Sequence, residues 1–119
     1  MRRLTGLIFL LTLVGQSCSE TDNQFEKILK SPDMFHGQEI IITGIFHEQF
    51  EDNAIYLTET NDKSEAIWVD FSKMFMLLNT FTKLDRQKIK IIGTFDKNDK
   101  GHLGQYAGSI KEAKIIIED

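Results

Sequence analysis

Gln38-Glu-Ile-Ile-Ile-Thr-Gly44-Ile-Phe46 and Gln87-Lys-Ile-Lys-Ile-Ile-Gly93-Thr-Phe95 decide the fold. Both put Gln, Ile, Ile, Gly and Phe at the same offsets, so two strands are built alike. Apolar residues alternate with period two, and in the first stretch Ile40, Ile42, Gly44 and Phe46 share one face. Glycine in mid-strand normally weakens a strand. Here Gly44 and Gly93 read as points of strong coiling or a bulge, which a small barrel needs in order to close.

Outward from this pair, the acidic turn Glu48, Glu51, Asp52, Asn53 leads into a strand over 54–58, and Asn61-Asp62-Lys63-Ser64 turns into another over 66–71. Met74, Leu77, Leu78 and Phe81 fall at i, i+3, i+4 and i+7, an amphipathic helix that Ser72 can cap. After the strand ending at Phe95 comes a long polar loop over 96–104. A last strand over 109–117 follows, its apolar phase slipping near Lys111-Glu112 as at a bulge. Three strands, a helix and two strands is the order of an OB-fold-like, five-stranded Greek-key barrel with a helix between strands 3 and 4. Before it, Thr21 and Gln24 read as a capping box. Phe25, Ile28 and Leu29 continue at helical spacing until Ser31-Pro32 stops the helix.

The chain has 119 residues, 41% of them hydrophobic, which excludes disorder and leaves room for one small domain. One cysteine excludes a disulfide scaffold. Residues 1–17 stand apart from the fold: Arg2-Arg3, an apolar run Leu4–Val14, then Gly15-Gln16-Ser17. Eleven apolar residues are too few for a spanning helix, which needs about twenty. Charged, apolar and small residues in that order make a secretory signal. With Cys18 at the cleavage point it resembles the bacterial lipoprotein signal, although Gly15 and Gln16 stand where that signal usually carries Leu and a small residue. The resemblance implies that Cys18 is lipidated and that residues 18–31 form a tether and a short helix ahead of the domain at 32–119. It also implies a cell-envelope location, the outer membrane if the cell has two, because Ser19 rather than Asp follows the cysteine. Removing 1–17 leaves twelve Lys plus Arg against eighteen Asp plus Glu, a net charge of −6. Nucleic-acid binding is therefore disfavoured, since neutralising phosphates supplies most of that affinity.

Pro32-Asp-Met-Phe-His-Gly37-Gln, the run from His47 to Leu57, Trp68, Lys100-Gly-His102-Leu-Gly104 and Gly108-Ser-Ile110 together resemble a group of small bacterial proteins of OB-like fold. That likeness implies the fold and no activity. In an OB barrel the first and fourth connections flank the ligand face. The candidate ligand residues are therefore His47, Glu48 and Glu51 in the first hairpin, Asp96 and His102 in the long loop, and Tyr56 and Trp68 as stacking aromatics. Trp68 alternates with Ile67 and Val69, so it faces outward if they fill the core. As turn residues, His47 and His102 should add little to stability. No catalytic residue, metal site or cofactor is marked by spacing: no HExxH, calcium loop, nucleophile elbow or P-loop occurs. The function expected is that of a monomeric binding module for a protein or envelope component. The alternatives are a small metal-dependent or acid–base enzyme using the two loops, and an oligonucleotide or oligosaccharide binder.

Overall fold

The computed structural model describes residues 23–78 and 83–116. Five strands close into a barrel: β1 (Glu39–Gln49), β2 (Asp52–Tyr56), β3 (Ala66–Phe71), β4 (Gln87–Asp96) and β5 (Ser109–Ile115), paired in the order β1-β2-β3-β5-β4. All pairs are antiparallel except β3 with β5. This is the OB-like barrel expected from the order of elements, with α3 (Lys73–Leu78) between β3 and β4.

β1 is shared. It pairs with β4 from Glu39 to Phe46 and with β2 from Ile45 to Gln49. The handover lies beside Gly44, where a Cβ would strike the carbonyl oxygen of Tyr56 and lie 2.9 Å from Ile55 Cγ1. Gly93 sits at the register shift between β4 and β5, and a Cβ there would lie 2.7 Å from the Lys111 carbonyl oxygen. The two matching glycines are thus the two places where backbones come too close for a side chain. The expected bulge in β5 is present, with Glu112 at φ 52° and shifted pairing against both neighbours.

Because β2 ends at Tyr56, the first half of β1 has a bare edge, and its amide groups need other partners. The N-terminal segment supplies them. Asn23 Oδ1 accepts from Thr43 N at 3.3 Å and its Nδ2 donates to Thr43 O at 3.2 Å, while Gln24 Oε1 accepts from Ile41 N at 3.0 Å. Asn23 Oδ1 also accepts from Phe25 N at 3.1 Å, opening α1 (Phe25–Lys30). The Gln24 side chain is therefore spent on the strand edge and makes no cap bond; Thr21 lies outside the described residues. Pro32 ends α1 but starts a second short helix, α2 (Pro32–Phe35), at the first position, where a missing N–H costs nothing.

Phe25 and Ile28 of α1 are fully buried in the same core as Ile40, Ile42, Phe46 and Phe95. Among the described residues, the core thus extends back from the barrel into α1. Ser72 caps α3, its Oγ accepting from Phe75 N at 3.1 Å. The two described members of the expected stripe are turned away from the core, however: Met74 is 65% and Leu77 75% exposed. Phe75 packs instead, stacked on Phe71 with centroids 5.0 Å apart. Phe81, like the side chain of Leu78, lies outside the described residues.

Candidate functional site

The outer face of β1 and β2 carries a buried polar cluster. His47 has no exposed surface, and its ring stacks on Tyr56, also fully buried, at 3.9 Å. His47 Nδ1 meets Asp52 Oδ2 at 2.8 Å and Nε2 meets Arg86 Nη1 at 2.8 Å. A guanidinium can only donate, so Nε2 accepts and the ring proton sits on Nδ1, donated to Asp52. The other carboxylate oxygen of Asp52 accepts from Tyr56 Oη and Tyr106 Oη, both at 2.7 Å. Burial raises the Asp52 pKa, but the bonds from Tyr56, His47 and Tyr106, with the charge of Lys63, outweigh it and hold the carboxyl below its ordinary 3.8. Burial and Asp52 together push both phenols well above their ordinary 10.0.

His47 is thus no surface turn residue, because β1 continues through it to Gln49 and holds its ring under Tyr56. Both of its nitrogens are occupied by protein groups, leaving none for an external ligand. Asp52→Asn should expose this wiring. With the amide oxygen kept toward the Nδ1 proton, the amide nitrogen stands where the carboxylate oxygen accepted from Tyr56 and Tyr106, so both phenols lose their charged acceptor. We expect a loss of about 2–4 kcal/mol in urea denaturation. Because the folded pKa is depressed, the Asp52 contribution is fully present above pH 3.8 and is lost as pH falls through the folded value. Below pH 4 the variant should therefore lose stability less steeply than the parent. Parallel acid profiles would show that Asp52 carries no such linkage.

The β4–β5 loop covers the neighbouring face of β2 and β3. Tyr106 is buried over Ala54, Tyr56 and Ala66 and meets Trp68 edge-on, centroids 5.2 Å apart. Gly101, at φ 70°, passes so close that a Cβ would lie 2.9 Å from Trp68 Cβ. Trp68 does point outward, since Ile67 and Val69 fill the core, but among the described residues this loop covers it. Its Nε1 donates to Asp70 Oδ1 at 3.3 Å. Lys111 then bridges Asp70, at 3.0 Å, to Asp99 in the loop, with which it makes a short ion pair. An ammonium thus supplies the positive charge between these two carboxylates. The face that OB barrels offer to oligomers is filled by the chain's own loop.

The remaining candidates do not converge. Glu48 and Glu51 lie at the end of β1 and in the hairpin, whereas Asp96 closes β4 opposite the start of β1. The length of β1 between them is roughly 30 Å along a strand. Asp96 turns its own loop, accepting from Asn98 N at 2.9 Å, and His102 lies half-buried in a 3₁₀ turn at 102–104. Tyr106 joins the two connections, its hydroxyl also reaching Glu51 O at 3.2 Å. Among the described residues no three of His, Cys, Asp and Glu are grouped as metal ligands. Tyr106 and Arg86 were missed by sequence reasoning, whereas Asp52 is legible in the acidic hairpin and shares outward parity with Tyr56 on a single strand.

At the hairpin end of the barrel lies an open groove of about 700 Å³, walled by Val69, Phe71, Phe75, Met76, Leu77 and Leu84, with Glu48, Asn53, Asp70 and Lys73 as its polar members. Glu48 also holds the turn before β4: Leu84 N donates to its Oε1 at 2.9 Å, and its own N–H donates to Asp85 at 2.7 Å. Met76 is 57% exposed beside Leu77. Compared with known proteins, the chain matches no family model, no curated protein and no solved structure.

Proposed function

We propose that this protein is an exported, lipid-anchored binding module for a protein or cell-envelope component, and that its contact surface is the groove beside α3. The observation that carries the reading is the exposure of Met76 and Leu77 along an apolar groove, while the aromatic residues of the β2–β3 face are spent on internal packing. Large apolar side chains gathered at one place on a soluble domain mark a contact site. Methionine, being unbranched and polarizable, adapts to varied partners. The acid–base alternative is less well supported, because the His47 ring is buried with both nitrogens engaged, one by Asp52 and one by Arg86. From Cys18 to Asn23 the chain can reach at most roughly 17 Å, which would keep the barrel beside the bilayer.

Two results test this together. Cys18→Ser should shift the protein from the membrane to the soluble fraction; unchanged fractionation would remove the anchor from the reading. A photo-crosslinking residue at Leu77, in cells, should form adducts with envelope components that are lost in the Cys18→Ser background. The same group at Met34, equally exposed on α2, should not. Adducts at Met34 instead of Leu77 would place the contact surface elsewhere.

A further inference from the structure

His47 is a fully buried ionisable side chain that the proposed function does not use. Around its ring stand Asp52 and Tyr56 of β2 and Arg86 just ahead of β4, while Tyr106 and Lys63 act on it through Asp52. Glu48, next to it on β1, is turned to Leu84 N. Arg86 is exposed, yet among the described residues its guanidinium pairs with no carboxylate and donates to the neutral Nε2 of His47. Its backbone is left-handed, at φ 67°. It is the third residue of a tight turn that Gln87 N closes onto Leu84 O at 3.0 Å, a place that glycine suits best. An arginine held in that conformation, with its charge spent on an imidazole, marks the contact as more than a turn.

We propose that Arg86 and a proton compete for Nε2 of His47, and that acidification releases Arg86, and with it the turn at 84–86, from the end of β1. An added proton turns Nε2 from acceptor into donor, and a guanidinium has no lone pair to receive it. Asp52 keeps its bond to the Nδ1 proton in either state, so the ring stays seated under Tyr56 and the Arg86 side gives way. Arg86 borders on solvent, and its departure lets the left-handed backbone relax. The same turn is tied to β1 by Arg86 N to Phe46 O at 2.6 Å, by Leu84 N to Glu48 Oε1 and by Glu48 N to Asp85 Oδ1. These bonds share three consecutive residues with Arg86, so they loosen together. Leu84 belongs to the groove wall, and the latch therefore sets the position of that wall. The latch needs no partner in the groove and stands apart from the binding reading.

The test uses the full chain carrying Cys18→Ser, with imidazoles and amides labelled for NMR. Imidazole gains its charge between about pH 8 and 5, which sets the range to be titrated. As His47 passes from the singly protonated ring to the imidazolium, exchange protection of the Leu84, Arg86 and Glu48 amides should fall roughly tenfold or more in step. Protection of the paired amides of β3 and β5 should not change. Arg86→Gly removes the donor and suits the turn. In that variant the His47 imidazolium should appear about one pH unit higher than in the parent, because the proton displaces no bond; a merely structural arginine would leave this unmoved. His47→Gln offers Arg86 an amide oxygen at every pH, so protection at Leu84 should stay level across the titration. Level protection in the parent, a fall that survives in His47→Gln, or an imidazolium that appears at the same pH with and without Arg86 would each overturn the latch. If His47→Gln does not fold, the parent titration and Arg86→Gly decide the matter by themselves.

Discussion

Gly44→Val should leave the protein unfolded at ambient temperature. Gly44 lies where β1 passes from β4 to β2, and its missing side chain is replaced by the Tyr56 carbonyl oxygen, Ile55 Cγ1 at 2.9 Å and the Phe25 ring at 3.1 Å. A carbonyl oxygen of a paired strand cannot swing aside like the tip of a flexible side chain. Relief requires β1 and β2 to separate, and with them the seat of α1. Such overpacking belongs to the most damaging mechanisms known for single substitutions, costing upward of about 4 kcal/mol against a total stability of about 5–15 kcal/mol for a small domain. Gly37 provides the contrast: it has φ 81° and open space around its Cβ position. Gly37→Ala should therefore cost only the left-handed backbone penalty of about 1–2 kcal/mol. Circular dichroism and urea denaturation of the two variants should differ sharply. A Gly44→Val protein melting near the parent temperature would mean that the two strands do not approach as described.

A chain beginning at residue 32 should likewise fail to fold, although the barrel strands would all be present. Phe25 and Ile28 contribute two of the largest fully buried side chains, and nothing else in the structure occupies their volume. Their separate truncation to Ala is expected to cost about 3–5 and 2–5 kcal/mol, as lost burial and cavity combine. Removing the whole segment also takes away Asn23 and Gln24, and with them the partners of the Ile41 and Thr43 amide groups. Phe25→Ala with Ile28→Ala in the full chain separates the two contributions, because it empties the core but keeps the strand-edge bonds. Heteronuclear NMR of the chain from residue 32 reads the outcome. Dispersed amide resonances and a cooperative melt would show that α1 is an accessory and not part of the core.

These two expectations differ in how far the sequence alone carries them. The glycine prediction needs only the repeated offset of Gln, Ile, Ile, Gly and Phe, because an interior strand position without a side chain is legible as a close approach before any partner is known. The partner that makes it severe, Tyr56 O, is known only from the register of β1 with β2. The α1 prediction depends on tertiary packing. Helical spacing of Phe25 and Ile28 showed an apolar stripe, but whether it lay on the outside of a finished barrel or inside its core depended on where β2 ended.

By itself the sequence determined the number and order of strands, the inward face of β1, the capping of α3 by Ser72, the bulge in β5 and hence the OB-like barrel. All of these follow from local periodicity and local backbone chemistry. Only the tertiary structure decided the site. Alternation tells which residues share a face, but it cannot tell whether an outward face meets water or another part of the chain. His47, Tyr56 and Trp68 are on outward faces, yet they are covered: Tyr106 and Gly101, some fifty residues from the hairpin, are folded back over Tyr56 and Trp68, and Tyr56 and Arg86 close over His47. Met74 and Leu77 have helical spacing that reads as core, yet the anchoring of Phe75 on Phe71 rolls them into solvent. In both cases long-range contacts assign burial, and burial decides which side chains remain available to a ligand.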